Sequence, residues 1–230
     1  MPSQDPPPPL HLVPPVGEDD AEVPAEVVGA GPVNVEPGPG AWRGTQPRLV
    51  LAVTGSIAAF RAADIASALT KDGVHVDTIL TESALKFVTP LTFQALTRRD
   101  AFTDASPDMR DGQPLHISLA DNATMVLIAP ATAHIIAQYA QGLAPDLLTS
   151  TLLALPPVTP VLIAPAMNGK MWLHPAVQAN VVTLRSRGVE FVGPDQGLLA
   201  CGYEGIGRMD PVDRIIDTVR TRLNPSPERA

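Results

Sequence analysis

The sequence holds a single cysteine, Cys201, in 230 residues. One thiol excludes an intrachain disulfide framework and any multi-cysteine metal centre, so no metal is expected. Long apolar runs are also missing. No stretch approaches the ~20 residues that a membrane-spanning helix needs. The N-terminus lacks a basic region followed by an apolar segment, so no secretory signal is read, and a cytoplasmic location with no membrane partner is expected. Positive charge is scarce: 16 Lys and Arg stand against 24 Asp and Glu, a net charge of −8. That balance argues against nucleic acid as the partner.

The negative charge is unevenly placed. Residues 1–46 carry seven acidic residues and one basic residue, Arg43, and hold 11 of the 26 prolines, including the run Pro6 to Pro9. No aromatic residue precedes Trp42. Such a segment cannot bury enough apolar surface to offset its ordering entropy. It reads as a disordered acidic tail with polyproline character. Residues 47–223 read as one domain and residues 224–230 as a frayed end.

Within 47–223, strand-like and helix-like patterns alternate. Leu49 to Val53, Val74 to Leu80, Met125 to Ala129 and Val161 to Ala164 read as strands, and Glu190 to Val192 as a last one. The first four end in small or polar residues. Helical spacing covers Ile57 to Lys71, with Ile57, Ala58, Ile65, Ala68 and Leu69 as inward candidates; His134 to Leu143 and Gln178 to Arg187 follow the same spacing. The alternation predicts βαβ units and an α/β fold, Rossmann-like or flavodoxin-like, in which helices sandwich a mostly parallel sheet in three layers. Ligands of such sheets sit beyond the carboxyl ends of the strands. Four ends therefore define the expected site: Gly55-Ser56, Thr81-Glu82-Ser83, Pro130-Ala131-Thr132 and Ala166-Met167-Asn168.

Each motif has a plain alternative. Thr54-Gly55-Ser56 offers close backbone approach, a hydroxyl and a helix start that favours an anion, yet many βα turns contain Gly-Ser. His116 reads as a structural histidine, or as a general base or orienter of a carboxylate. Asn168 reads as a carboxylate contact or as a turn cap, and Met167 as packing for a flat ring. Cys201 lies among Gly197, Gly202, Gly205 and Gly207. That segment reads either as a mobile loop closing over substrate or as a surface hairpin around an inert thiol.

Taken in order, Thr54-Gly55-Ser56-Ile57-Ala58-Ala59, Thr81-Glu82-Ser83-Ala84, Phe87 to Phe93, His116-Ile117, Ala129 to Ala133, Pro165-Ala166-Met167-Asn168 and Ala200-Cys201-Gly202 resemble the homo-oligomeric flavin-containing cysteine decarboxylases. The resemblance covers about Pro47 to Ile216. It implies FMN, with its phosphate near Gly55, Ser56 and Ser83 and its other parts near Ile57, Thr81, Phe87, Pro130, Ala131, Thr132 and Met167. It implies His116, Asn168 and Cys201 as catalytic residues, and Ala166, Asn168, Gly202 and Tyr203 as substrate contacts. It also implies a homotrimer, or a homododecamer built from trimers, with each FMN site near a subunit boundary.

Four positions depart from the family pattern: His134 for the usual Asn, Thr124 and Pro145 each for an Asp, and Tyr203 for the Asp common after Ala-Cys-Gly. The main expectation is oxidative decarboxylation of the C-terminal cysteine of a ribosomally made peptide, giving an enethiol and CO₂. Tyr203, the added acidic tail and the lack of a synthetase segment after Ala230 point that way. The alternative is phosphopantothenoylcysteine decarboxylation in coenzyme A synthesis, which the intact Ala200-Cys201-Gly202 supports. A third reading, a non-enzymatic regulatory flavoprotein, fits less well with His116 and Asn168 both present.

Overall fold

Residues 46–198, 202 and 204–223 are described by the computed structural model. The expected tail, the frayed end, Cys201 and Tyr203 lie outside them. The first strand, β1 (Arg48–Val53), leads through a 3₁₀ turn at Ile57–Phe60 into α1 (Arg61–Lys71) and then β2 (His75–Leu80). Next come α2 (Pro90–Thr97), β3 (Ala101–Phe102), a small hairpin of β4 (Met109–Arg110) and β5 (Gln113–Pro114), and α3 (Leu115–Asn122). Then β6 (Met125–Ala131), α4 (Ala133–Ala140), α5 (Leu147–Ala154), β7 (Val161–Pro165), α6 (Gly169–Trp172), α7 (Pro175–Ser186) and β8 (Glu190–Phe191) follow. A second hairpin of β9 (Asp195–Leu198) and β10 (Glu204–Arg208) precedes α8 (Val212–Leu223).

Six strands form one sheet in the order β3-β2-β1-β6-β7-β8, and every pairing in it is parallel. Renumbered within the sheet, this is 3-2-1-4-5-6, the doubly wound order of nucleotide-binding sheets. Alternation along β1 builds both faces. Leu49, Leu51 and Val53 pack with Ile65, Leu69, Phe93 and Ile215, under α1, α2 and α8. Val50 and Ala52 pack with Leu119, Ile135, Leu152 and Leu184, under α3, α4, α5 and α7. Both faces are thus covered, which is why these strands read as continuous apolar runs.

Two sequence expectations are corrected. Ile57 is not an inward residue: it sits in the 3₁₀ turn and is 57% exposed. The regular helix starts only at Arg61, because Ser56 caps the turn through its side chain. Strand β6 also runs past Ala129 to Ala131, with a register shift against β7 between Ile128 and Ala131. Pro130 has no N–H to give the ladder, so the strand continues only by slipping there.

Candidate functional site

The strand order reverses between β1 and β6: β2 lies on one side of β1 and β6 on the other. The chain leaves β1 toward α1 on one face and leaves β6 toward α4 on the opposite face. The strand ends therefore part and leave a crevice, the place where such sheets bind ligands. Its floor is tied by Thr54. The buried Thr54 hydroxyl donates to the Pro130 carbonyl at 2.7 Å and accepts from the Thr132 N–H at 3.2 Å. Gly55 comes so near the next strand end that an added Cβ would lie 2.4 Å from Ser83 Cβ. Two helical starts receive side-chain caps: Ser56 Oγ accepts from Ala58 N–H, and Thr132 Oγ1 accepts from Ile135 N–H. The Thr81 hydroxyl accepts from Ala84 N–H at 3.3 Å.

A cavity of about 570 Å³ opens over this floor. Thr54, Gly55, Thr81, Ser83 and Thr132 line one side, and His134 and Gln138 of α4 line another. Glu82, Asp104 and Asp146 give it three carboxylates. Two of these are committed to the start of α5. Asp146 accepts from Thr149 N–H at 2.8 Å in a reciprocal capping box, and Asp104 accepts from Leu147 N–H at 2.8 Å. Carboxylates are stabilised at a helix start by the unpaired N–H groups and the dipole.

His116 sits half-buried in the first turn of α3 and lines a second cavity of about 480 Å³. The two cavities share Asp104, Pro145 and Asp146. Asn168 is at the third location, the end of β7. Its side chain caps the short α6 by accepting from Lys170 N–H at 2.8 Å. The β9–β10 hairpin is fastened to the same end, where Met167 N–H donates to the Gly207 carbonyl at 2.9 Å. Gly207 touches this segment so closely that a Cβ would lie 2.3 Å from the Met167 carbonyl oxygen. Gly202, near the tip of the hairpin, is exposed with φ +87°.

The expected residues thus divide. Gly55, Thr81, Ser83 and Thr132 line one cavity. Ser56 stands in the adjoining turn, while Ile57 and Phe87 are 57% and 46% exposed. Pro130, Ala131 and Ala166 are buried among the strand ends, so they brace the floor through their backbones: Ala166 N–H donates to the Ala131 carbonyl at 2.9 Å. Met167 packs partly against the core, beside Asn168. A single chain does not place His116 on the cavity that holds Gly55 and Ser83. Asp104, Gln138 and Asp146 were not singled out from the sequence as site residues, while Glu82 was named only as part of the strand end Thr81-Glu82-Ser83. His134 and Gln138 carried a usable signal, since polar residues four apart share one helix face.

The family model described as Flavoprotein matches residues 43–224. The chain belongs to the flavoprotein family. Among relatives of this flavoprotein, the probable phosphopantothenoylcysteine decarboxylase of Streptococcus mutans is 40% identical over 179 residues, 76% of this chain and 98% of that protein. The coenzyme A biosynthesis bifunctional protein CoaBC of Bacillus subtilis is 45% identical over 168 residues, 73% of this chain but only 41% of that longer protein. Among solved structures, a cysteine-to-serine mutant of a PPC decarboxylase, complexed with pantothenoylaminoethenethiol, superposes with a TM-score of 0.70. It is 31% identical and covers 76% of this flavoprotein and 97% of its own chain. The FMN-dependent cysteine decarboxylase SpaF superposes with a TM-score of 0.66 at 33% identity, over 77% and 95% of the two chains.

Proposed function

We propose that this flavoprotein, an FMN-dependent cysteine decarboxylase, takes phosphopantothenoylcysteine as its substrate. The observation that carries the substrate is the likeness to the Streptococcus mutans protein, 40% identical over 98% of that protein's length. The peptide reading expected first from the sequence gives way to this one and stands second, since the solved structure named as a peptidyl-cysteine decarboxylase, EpiD, is 22% identical.

The residues present suit FMN. Gly55, held against Ser83, brings backbone close to the crevice, and Ser56 and Ser83 add hydroxyls at short helical starts, the chemistry that holds a phosphate. Thr81 and Thr132 line the adjoining wall. FMN, when bound, supplies the acceptance and return of a hydride. The protein's own groups do the rest. Asn168, fixed by its cap on α6, orients the substrate carboxylate. With the Cβ–S unit at the thioaldehyde level, CO₂ departs and leaves an enethiolate. His116 manages the proton near this group, and Cys201, in the sequence between β9 and β10, protonates the enethiol carbon. Oxidation and reduction cancel, so the net change is loss of CO₂ alone.

His116 and Asn168 act together across a boundary between copies in a trimer or a dodecamer of trimers. Exposed Ile57, Phe60, Phe87 and Leu91 supply apolar surface for that contact.

Product mass tests the substrate. Wild-type protein given phosphopantothenoylcysteine is expected to release a product lacking CO₂ only. Cys201→Ser is expected to stop at a product that also lacks two hydrogens. Turnover of a cysteine-terminated peptide with none of phosphopantothenoylcysteine would overturn the proposal in favour of the second reading.

A further inference from the structure

Gln138 is 8% exposed and lines the 570 Å³ cavity from the second turn of α4. Its carboxamide makes no hydrogen bond with any described residue, although its backbone carbonyl accepts from Leu143 N–H. The amide therefore opens on the cavity, where its donor and acceptor are free to meet a ligand. His134, one turn earlier on the same helix, lines the same wall.

The surroundings limit what that ligand is. The carboxylates of Asp104 and Asp146, at the start of α5, line the same cavity; they accept hydrogen bonds and repel anions. A phosphate is disfavoured beside them and belongs at the Gly55 and Ser83 end. A carbonyl-rich ring edge is disfavoured as well, since acceptors would face acceptors. Hydroxyl groups suit every member of the wall: they donate to carboxylates and both donate to and accept from an amide. Resting on the reading that this cavity takes FMN, we propose that Gln138 is a binding residue for the ribityl hydroxyls of the cofactor, with His134 beside it. The wall formed by α4 and the start of α5 is thus a polyol site, distinct from the phosphate end.

The test is flavin exchange on the holoprotein. Bound FMN is competed with free FMN, riboflavin or lumiflavin, the last of which has no ribityl chain, and release is followed by flavin fluorescence. Gln138→Leu is expected to weaken FMN and riboflavin by the same factor, about three- to tenfold, the worth of one hydrogen bond. Lumiflavin is expected to be unchanged, so its standing against FMN improves by that factor. FMN retention within twofold of wild type overturns the proposal. So does a loss confined to FMN, which marks a phosphate contact, or an equal loss for lumiflavin, which marks a ring contact. Gln138→Met, unbranched and of similar length, replaces Gln138→Leu if the latter melts before the assay temperature. Wild-type protein that holds no FMN would instead defeat the reading of the cavity itself.

Discussion

Asp210 has a fully buried side chain whose only described ion-pair partner is the exposed Arg214, at 3.3 Å, and its second oxygen has no hydrogen-bond partner. Burial pushes its carboxyl above the usual range, with Arg214 only partly offsetting this. The sign follows directly. Ionisation is harder in the fold than in the unfolded chain, so the group lowers stability as pH rises from the ordinary carboxylate range through the raised value. Asp210→Asn removes the titration. Its melting temperature relative to wild type is expected to rise as pH goes from 4 to 7.5, readable by circular dichroism. A relative change that stays flat with pH would show that the carboxylate is satisfied in solution. Asp77 is the contrasting case, equally buried but clasped by Arg99 through two hydrogen bonds, at 2.8 and 3.1 Å. Neither environment was legible in the sequence. Burial of an Asp depends on which helix lands on it, and composition says nothing of that.

Among the elements, the β9–β10 hairpin shows where sequence reading stops. Its glycines allowed a mobile loop or a hairpin, and the described stem is an antiparallel hairpin with a register shift between Ile206 and Arg208. Gly207 decides its placement. It has φ +133° and sits where any Cβ would strike the Met167 carbonyl. Gly207→Ala therefore fails on backbone conformation and on space. The substitution is expected to free the hairpin from the end of β7. Faster hydrogen exchange should appear across 195–208, with turnover down at least tenfold and FMN content kept. Unchanged exchange would mean that the stem is held by other contacts. Strands β1, β2, β6 and β7 were legible because burial on both faces leaves only apolar residues. Helix α5 was not, because it is apolar nearly all round and packs on two neighbours, so it lacks the one-sided stripe that marks a helix. Strand β3 is two residues long and leaves no pattern at all.

For the whole molecule, the strand ends were legible as one site, but its division was not. Sequence order says that Gly55, His116 and Asn168 belong to one family pattern. It does not say that one chain opens His116 onto a different cavity from Gly55. Mixing two inactive variants tests whether copies share a site. Co-assembled His116→Ala and Asn168→Ala chains are expected to recover about a quarter of wild-type turnover, since random assembly gives that share of sites both intact residues. No recovery, with mixed oligomers present and flavin retained, would place both residues within one chain's site. The bridge made by Thr54 bears on how such a family diversifies. Its single hydroxyl serves as donor to one strand end and acceptor from the next, so no apolar residue of the same shape can replace it without orphaning two backbone groups. The base of the crevice thus behaves as a fixed jig, its width set by one atom. New ligand preferences must then arise around it, on α4, at the start of α5 and in the β9–β10 hairpin.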